Sequence, residues 1–185
     1  MAARGYKQLE TQLSRLVQPH FDGLTVEVVA NSIRWNRPCA TFRWAGFIGL
    51  LPEERFQRLA AVVNESFRET HMRGVVWLEL APGETVDEFL RMPRSEDVAP
   101  REGHIYQELV RIGFFEALAQ RLSPSPTDRC KGGFADSTAV LEEKRIPSEA
   151  ITEAKLAFIA QGAYCDCQAL LSARPALASR HAGAA

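Results

Sequence analysis

The stretch from Leu51 to Leu80 constrains this chain most, because it sets an amphipathic helix and a strongly apolar strand on either side of a glycine. Phe56, Leu59, Ala60, Val63 and Phe67 recur at helical spacing, while Glu54, Arg58, Glu65 and Arg68 fall on the other side. That spacing predicts one long helix with a core-facing stripe. Pro52 suits its first turn, where a missing N–H costs no hydrogen bond, and Gly74 suits its end. The run from Val75 to Leu80 then reads as a strand covered on one face and largely covered on the other. Trp77, Leu78, Phe56, Leu59 and Val63 are the expected core of this unit.

Elements on both sides fit an α+β order. Tyr6, Leu9, Leu13, Leu16 and Val17 predict a first helix, closed by Pro19 and turned by Asp22-Gly23. Alternation at Leu24, Val26 and Val28 predicts a strand, and Ala40 to Ile48 a second one with Phe42, Trp44 and Ile48 on one face. The polar stretch Asn31 to Pro38 between them is the expected hairpin loop. After Pro82-Gly83, the residues Thr85-Val86-Asp87-Glu88 have the form of a capping box and open a short helix. Residues 6–92 are therefore expected to form a three-stranded sheet with helices on one face.

Polar, proline-bearing residues 93–103 read as a connector, residues 104–173 as a mainly helical region and residues 174–185 as a frayed, alanine-rich tail. Within the helical region Gly113 should break the segment running from Ile105 to Leu122, and Ser123-Pro-Ser-Pro126 reads as a linker. Asp136 is placed to cap a helix over residues 137–145, and a further helix from Ser148 stops at Gly162.

A formal net charge of −1 provides no overall field for nucleic acid or anionic membrane, and no apolar run approaches the ~20 residues of a membrane span. With no apolar leader at the start, these features predict a cytoplasmic protein whose four cysteines stay reduced.

The order of elements from Leu9 to Leu90 resembles the BolA-like family, small α+β domains related in topology to one class of KH fold. The resemblance is carried by Leu24-Thr-Val-Glu-Val-Val followed by Asn31-Ser32, by Glu54-Arg55 at the helix start, and by Val76 to Phe89. It implies a cytoplasmic partner-binding domain, in many members one that pairs with monothiol glutaredoxins through an iron–sulfur cluster. This sequence departs from the family pattern where Arg55-Phe56 stands for the usual Arg-His pair and Val75 or Val76 for the strand histidine, so cluster sharing is not carried over. From Cys130 to Ala173 the chain is similar to the C-terminal part of an uncharacterised bacterial domain that ends in a Tyr-Cys-Asp-Cys motif, here Gly162-Ala-Tyr-Cys-Asp-Cys-Gln168. That resemblance implies no function.

Three readings follow. The first is a non-enzymatic module that binds a protein partner, with Trp35 and Arg37 in the polar loop as exposed contacts. The second uses Cys130, Cys165 and Cys167 as soft ligands for zinc, with Asp166, Asp136 or a histidine as the fourth, or uses the Cys-Asp-Cys pair as a redox site. Against it stands the ordinary reading of buried cysteines at a helix end. The third is nucleic-acid binding through Gly46-Phe47-Ile48-Gly49, which matches the Gly-x-x-Gly of KH loops but is more simply the end of a strand. No residue is assigned a catalytic role, and no resident cofactor other than zinc is indicated.

Overall fold

The first helix, α1 (Ala2–Val17), buries Leu9, Leu13 and Val17, three residues at four-residue steps that make one stripe along its axis. The computed structural model in which this is seen describes residues 2–63 and 65–181. The chain divides into two units, Met1–Met92 and Pro93–Ala185, and each has a core of its own.

In the first unit the α1 stripe lies on a sheet of β1 (Thr25–Ser32), β2 (Arg37–Arg43) and β3 (Val76–Leu80), in spatial order β1-β2-β3. β1 and β2 pair antiparallel, whereas β2 and β3 run parallel. A parallel pair needs a crossover, and α2 (Pro52–Val62) with α3 (Glu65–His71) supplies it. Leu59 and Val63 bring the crossover onto Ala40 and Phe42, on the sheet face that also receives α1. The capping box forms as read: Thr85 Oγ accepts from the Glu88 amide and Glu88 accepts from the Thr85 amide, which starts α4 (Val86–Leu90). Its Phe89 packs beside Cys39, Leu78 and Leu80 on the second face.

Four expectations for this unit are corrected. The central helix is two helices, because Val63 leaves helical geometry at φ −82° and ψ 89°; the β-branched pair Val62-Val63 weakens helix there, and the bend buries the Val63 side chain. Phe56 is 40% exposed and stands edge-to-face with a half-buried Trp77, at 5.7 Å between ring centroids. The buried residues of α2 are Pro52, Glu54, Arg55 and Leu59, so Leu59 keeps its expected place and Phe56 does not. Phe56→Ala should therefore cost about 1–2 kcal/mol in urea unfolding, well short of the ~3–5 kcal/mol of a core phenylalanine. A core-sized loss would restore the original stripe.

The hairpin loop is shorter than residues 31–38, since Ser32 and Arg37 already pair. β2 stops at Arg43, and a tight 3₁₀ turn (Ala45–Phe47) follows, leaving Ile48 exposed. The glycine of that turn has a packing reason, because a Cβ at Gly46 would stand 2.3 Å from the Trp44 ring. Phe47, in the middle of the Gly-x-x-Gly string, is wholly buried.

The second unit is helical. The expected connector is a 3₁₀ helix (Ser95–Arg101) whose Val98 is buried, running directly into α5 (Glu102–Arg111). Gly113, at φ 65°, turns the chain between α5 and α6 (Phe114–Arg121). α7 (Pro126–Arg129) and α8 (Ala135–Glu143) follow, then α9 (Ser148–Ala160). Phe158 of α9 is completely buried against Phe114, Phe115 and Phe134, with ring centroids 5.6, 6.3 and 6.0 Å away. The last helical run is α10 (Asp166–Gln168), a π turn (Ala169–Ala173) and α11 (Arg174–His181). Residues 174–181 are thus not frayed: Leu177 is fully buried and Arg174 pairs with Glu116 at 2.9 Å. Residues 182–185 of the expected tail lie outside the described residues. Among the described residues no helix is long and apolar enough to cross a membrane.

Candidate metal centre

Two segments remote in sequence meet at one end of the second unit, and backbone chemistry holds them together. The first is the loop from Cys130, which ends α7, to the start of α8; the second is the stretch from Gly162 to Ala169. Gly162 has φ +74° and takes the chain out of α9, with the Ala163 amide donating to the Phe158 carbonyl at 3.0 Å. Ala163 is fully buried, so the chain is anchored immediately before Tyr164-Cys165-Asp166-Cys167.

Asp166 is the clamp. Its amide donates to the Gly133 carbonyl at 2.9 Å, and its carboxylate accepts from the amides of Asp136 at 3.0 Å and Ser137 at 2.8 Å. Those amides belong to the first turn of α8, where N–H groups have no partner inside the helix and where negative charge is favoured. Here Asp166 supplies the cap expected of Asp136, and the Asp136 side chain instead faces Arg121 at 3.7 Å. The Asp166 carboxylate is 1% exposed, so a charge on it depends on those bonds.

With Asp166 fixed, its two neighbours and Cys130 come together. The Cys165 and Cys167 sulfurs are 3.4 Å apart, and the three sulfurs of Cys130, Cys165 and Cys167 all lie within 4.8 Å of one another. Sulfurs bound to one tetrahedral ion at a Zn–S distance of about 2.3 Å stand about 3.8 Å apart, so the observed spacing matches within small side-chain rotations. All three side chains are partly exposed. Burial pushes the Cys130 thiol up, but hydrogen bonds from the amides of Cys167 and Gly132 and from the two neighbouring thiols outweigh it and bring it below the ordinary thiol value. Burial raises Cys165, and the Cys130 sulfur beside it adds to the rise. Cys167 is pushed up to about 12, first by burial and then by its bonds to the other two sulfurs. Of the three thiols, Cys130 is therefore the one whose surroundings favour loss of its proton first.

Of the fourth ligands considered, Asp166 is committed to α8 and Asp136 faces Arg121. Among the described residues, no histidine or carboxylate joins the three sulfurs. The remaining cysteine, Cys39, is buried in the first unit. Trp35 and Arg37 are apart from this chemistry. Trp35, expected to be exposed, is half-buried against the cluster of Cys39, Leu78, Leu80 and Phe89, with the Arg34 guanidinium 5.6 Å from its ring; Arg37 is exposed at the start of β2.

Sequence reasoning missed one ionic site altogether. Arg55, 2% exposed, donates from Nε to the Leu50 carbonyl at 2.9 Å, from Nη1 to the Glu79 carbonyl at 2.7 Å, and to both oxygens of Glu84 at 2.5 and 3.1 Å. Its neighbour Glu54, read as part of a solvated helix face, is buried and accepts from the Leu51 amide at 3.0 Å. No protein-family model, curated protein or solved structure matches the chain.

Proposed function

We propose that this chain binds a soft metal ion on Cys130, Cys165 and Cys167, zinc being the ion that suits the donors and the reducing compartment expected from the sequence. The observation that carries the reading is the convergence of three sulfurs from positions 35 residues apart, within 4.8 Å of one another. Disulfide chemistry suits the same group less well. Three sulfurs leave one unpaired, and Cys165 and Cys167 are too close in sequence for easy bridge geometry. Buried structural thiols would explain one cysteine, or two, but they give no reason for three sulfurs from two remote segments to stand within 4.8 Å of one another. A bound ion would join the 130–137 loop to the 162–169 stretch, so that binding and the folding of the second unit become one equilibrium.

The test is a titration of the reduced full-length chain with zinc against a competing chromophoric chelator, without oxygen. One ion per chain is expected, with at least a tenfold loss of affinity in Cys130→Ser. The thermal midpoint of the second unit should rise with zinc and fall back on chelation. A protein that takes up no stoichiometric ion, with a midpoint indifferent to both zinc and chelator, would refute the proposal.

A further inference from the structure

Resting on that reading, we infer that the centre is coordinatively open: the chain supplies three ligands, and the fourth is an exogenous soft anion, a thiolate. Structural zinc sites are closed by four protein ligands, whereas sites that handle a small molecule keep one position free. Among the described residues no histidine or carboxylate joins the three sulfurs, and the nearby candidates are engaged elsewhere. Asp166 holds two amides of α8, and Asp136 faces Arg121. The Gln168 carbonyl oxygen accepts the Tyr164 amide at 2.8 Å.

The three sulfurs are partly exposed, so a ligand can reach an ion held on them. Three thiolates soften a bound divalent ion and favour another sulfur over a carboxylate. The negative charge that a fourth thiolate adds has compensation nearby in the chain, because Arg129 and Lys131 flank Cys130 and both are exposed. The ligand can come from a low-molecular-weight thiol or from a cysteine of another protein. Both present the same sulfur.

Cobalt(II) in place of zinc makes the ligand set visible, since thiolate-to-cobalt charge-transfer absorption grows with the number of sulfurs and the visible bands report tetrahedral geometry. The reduced full-length chain is loaded with one equivalent of cobalt(II) and titrated with 2-mercaptoethanol, and Cys130→Ser is carried through the same titration to correct for complexes of the free thiol. Saturable growth of the charge-transfer band by about one third, the step from three thiolates to four, is expected. A peptide containing a single cysteine should produce the same end spectrum if a protein thiol can enter, and no change if only small thiols fit. A spectrum that already has four-ligand protein intensity, or that does not respond to either thiol, means the position is filled by protein and overturns the inference while metal binding stands. If no one-to-one cobalt or zinc complex forms, the parent reading fails and this inference goes with it.

Discussion

Arg55→Met is expected to lower the unfolding free energy of the first unit by about 3–5 kcal/mol, the usual cost of removing one partner from a buried ion pair. The guanidinium serves two backbone carbonyls and the Glu84 carboxylate at once, and it lies over the rings of Phe47 and Phe89 at 5.9 and 5.7 Å. Methionine fills much of the volume but satisfies none of those acceptors, and a carboxylate only 15% exposed is left without its cation. Against a domain stability of ~5–15 kcal/mol, that loss removes much of the folded population's margin. Chain Trp residues are all in the first unit, so tryptophan fluorescence in urea follows it selectively. A loss below about 1 kcal/mol would mean that water replaces the guanidinium without penalty.

The same pair has a pH signature. Burial pushes the Glu84 carboxyl up, but the Arg55 hydrogen bonds and the Ala81 amide outweigh it and hold the group below its ordinary value of 4.5. A carboxyl whose folded pKa is depressed contributes stability above its unfolded pKa and loses it as pH falls through the folded one. Acidification from about pH 4.5 downward should therefore weaken the wild-type unit, and Glu84→Gln should flatten that part of the profile.

In the second unit Asp166→Ala is expected to cost about 2–4 kcal/mol, more than a single helix cap and less than two independent hydrogen bonds to a charge. It leaves the Asp136 and Ser137 amides without acceptors at the start of α8, and it releases the stretch that carries two of the three sulfurs. Zinc affinity should fall in the same variant although no ligand has been removed, while Asp166→Asn, which keeps one acceptor oxygen, should lose less of both. Helical circular dichroism in urea measures the first effect. A change within about 0.5 kcal/mol, the size usual at surfaces, would show that Asp166 is not the clamp.

How far the sequence could be read depended on the range of each interaction. The α1 stripe of Leu9, Leu13 and Val17 and the Thr85–Glu88 box were plain, because periodicity and capping are written within a few residues. The three sulfurs could be nominated because cysteine is scarce, but not brought together, since Cys130 is 35 residues from Cys165 and nothing local joins them. Arg55 was noted only at the helix start, as part of the family resemblance. Its stabilising partner Glu84 comes 29 residues later, beyond β3, and a charged residue carries no mark of whether it will be paired inside. Asp166 was considered as a ligand, whereas its bonds go to backbone amides, which have no residue-type signature. The alanine-rich end hid a helix for a related reason: Leu177 is a lone large apolar residue, too few for a pattern, yet it is fully buried.

The position of Asp166 between two sulfurs gives the protein an internal indicator. Cys165, Asp166 and Cys167 are consecutive, so whatever displaces the sulfurs shifts the carboxylate, and the carboxylate is what the Asp136 and Ser137 N–H groups donate to. Those two protons are not part of the sulfur cluster, but their chemical shifts and exchange rates depend on a bond whose acceptor is anchored by it. Oxidation, alkylation or occupation of the cysteines would each be legible at two amide resonances of α8, in a spectrum that needs neither a chromophoric ion nor a label on sulfur.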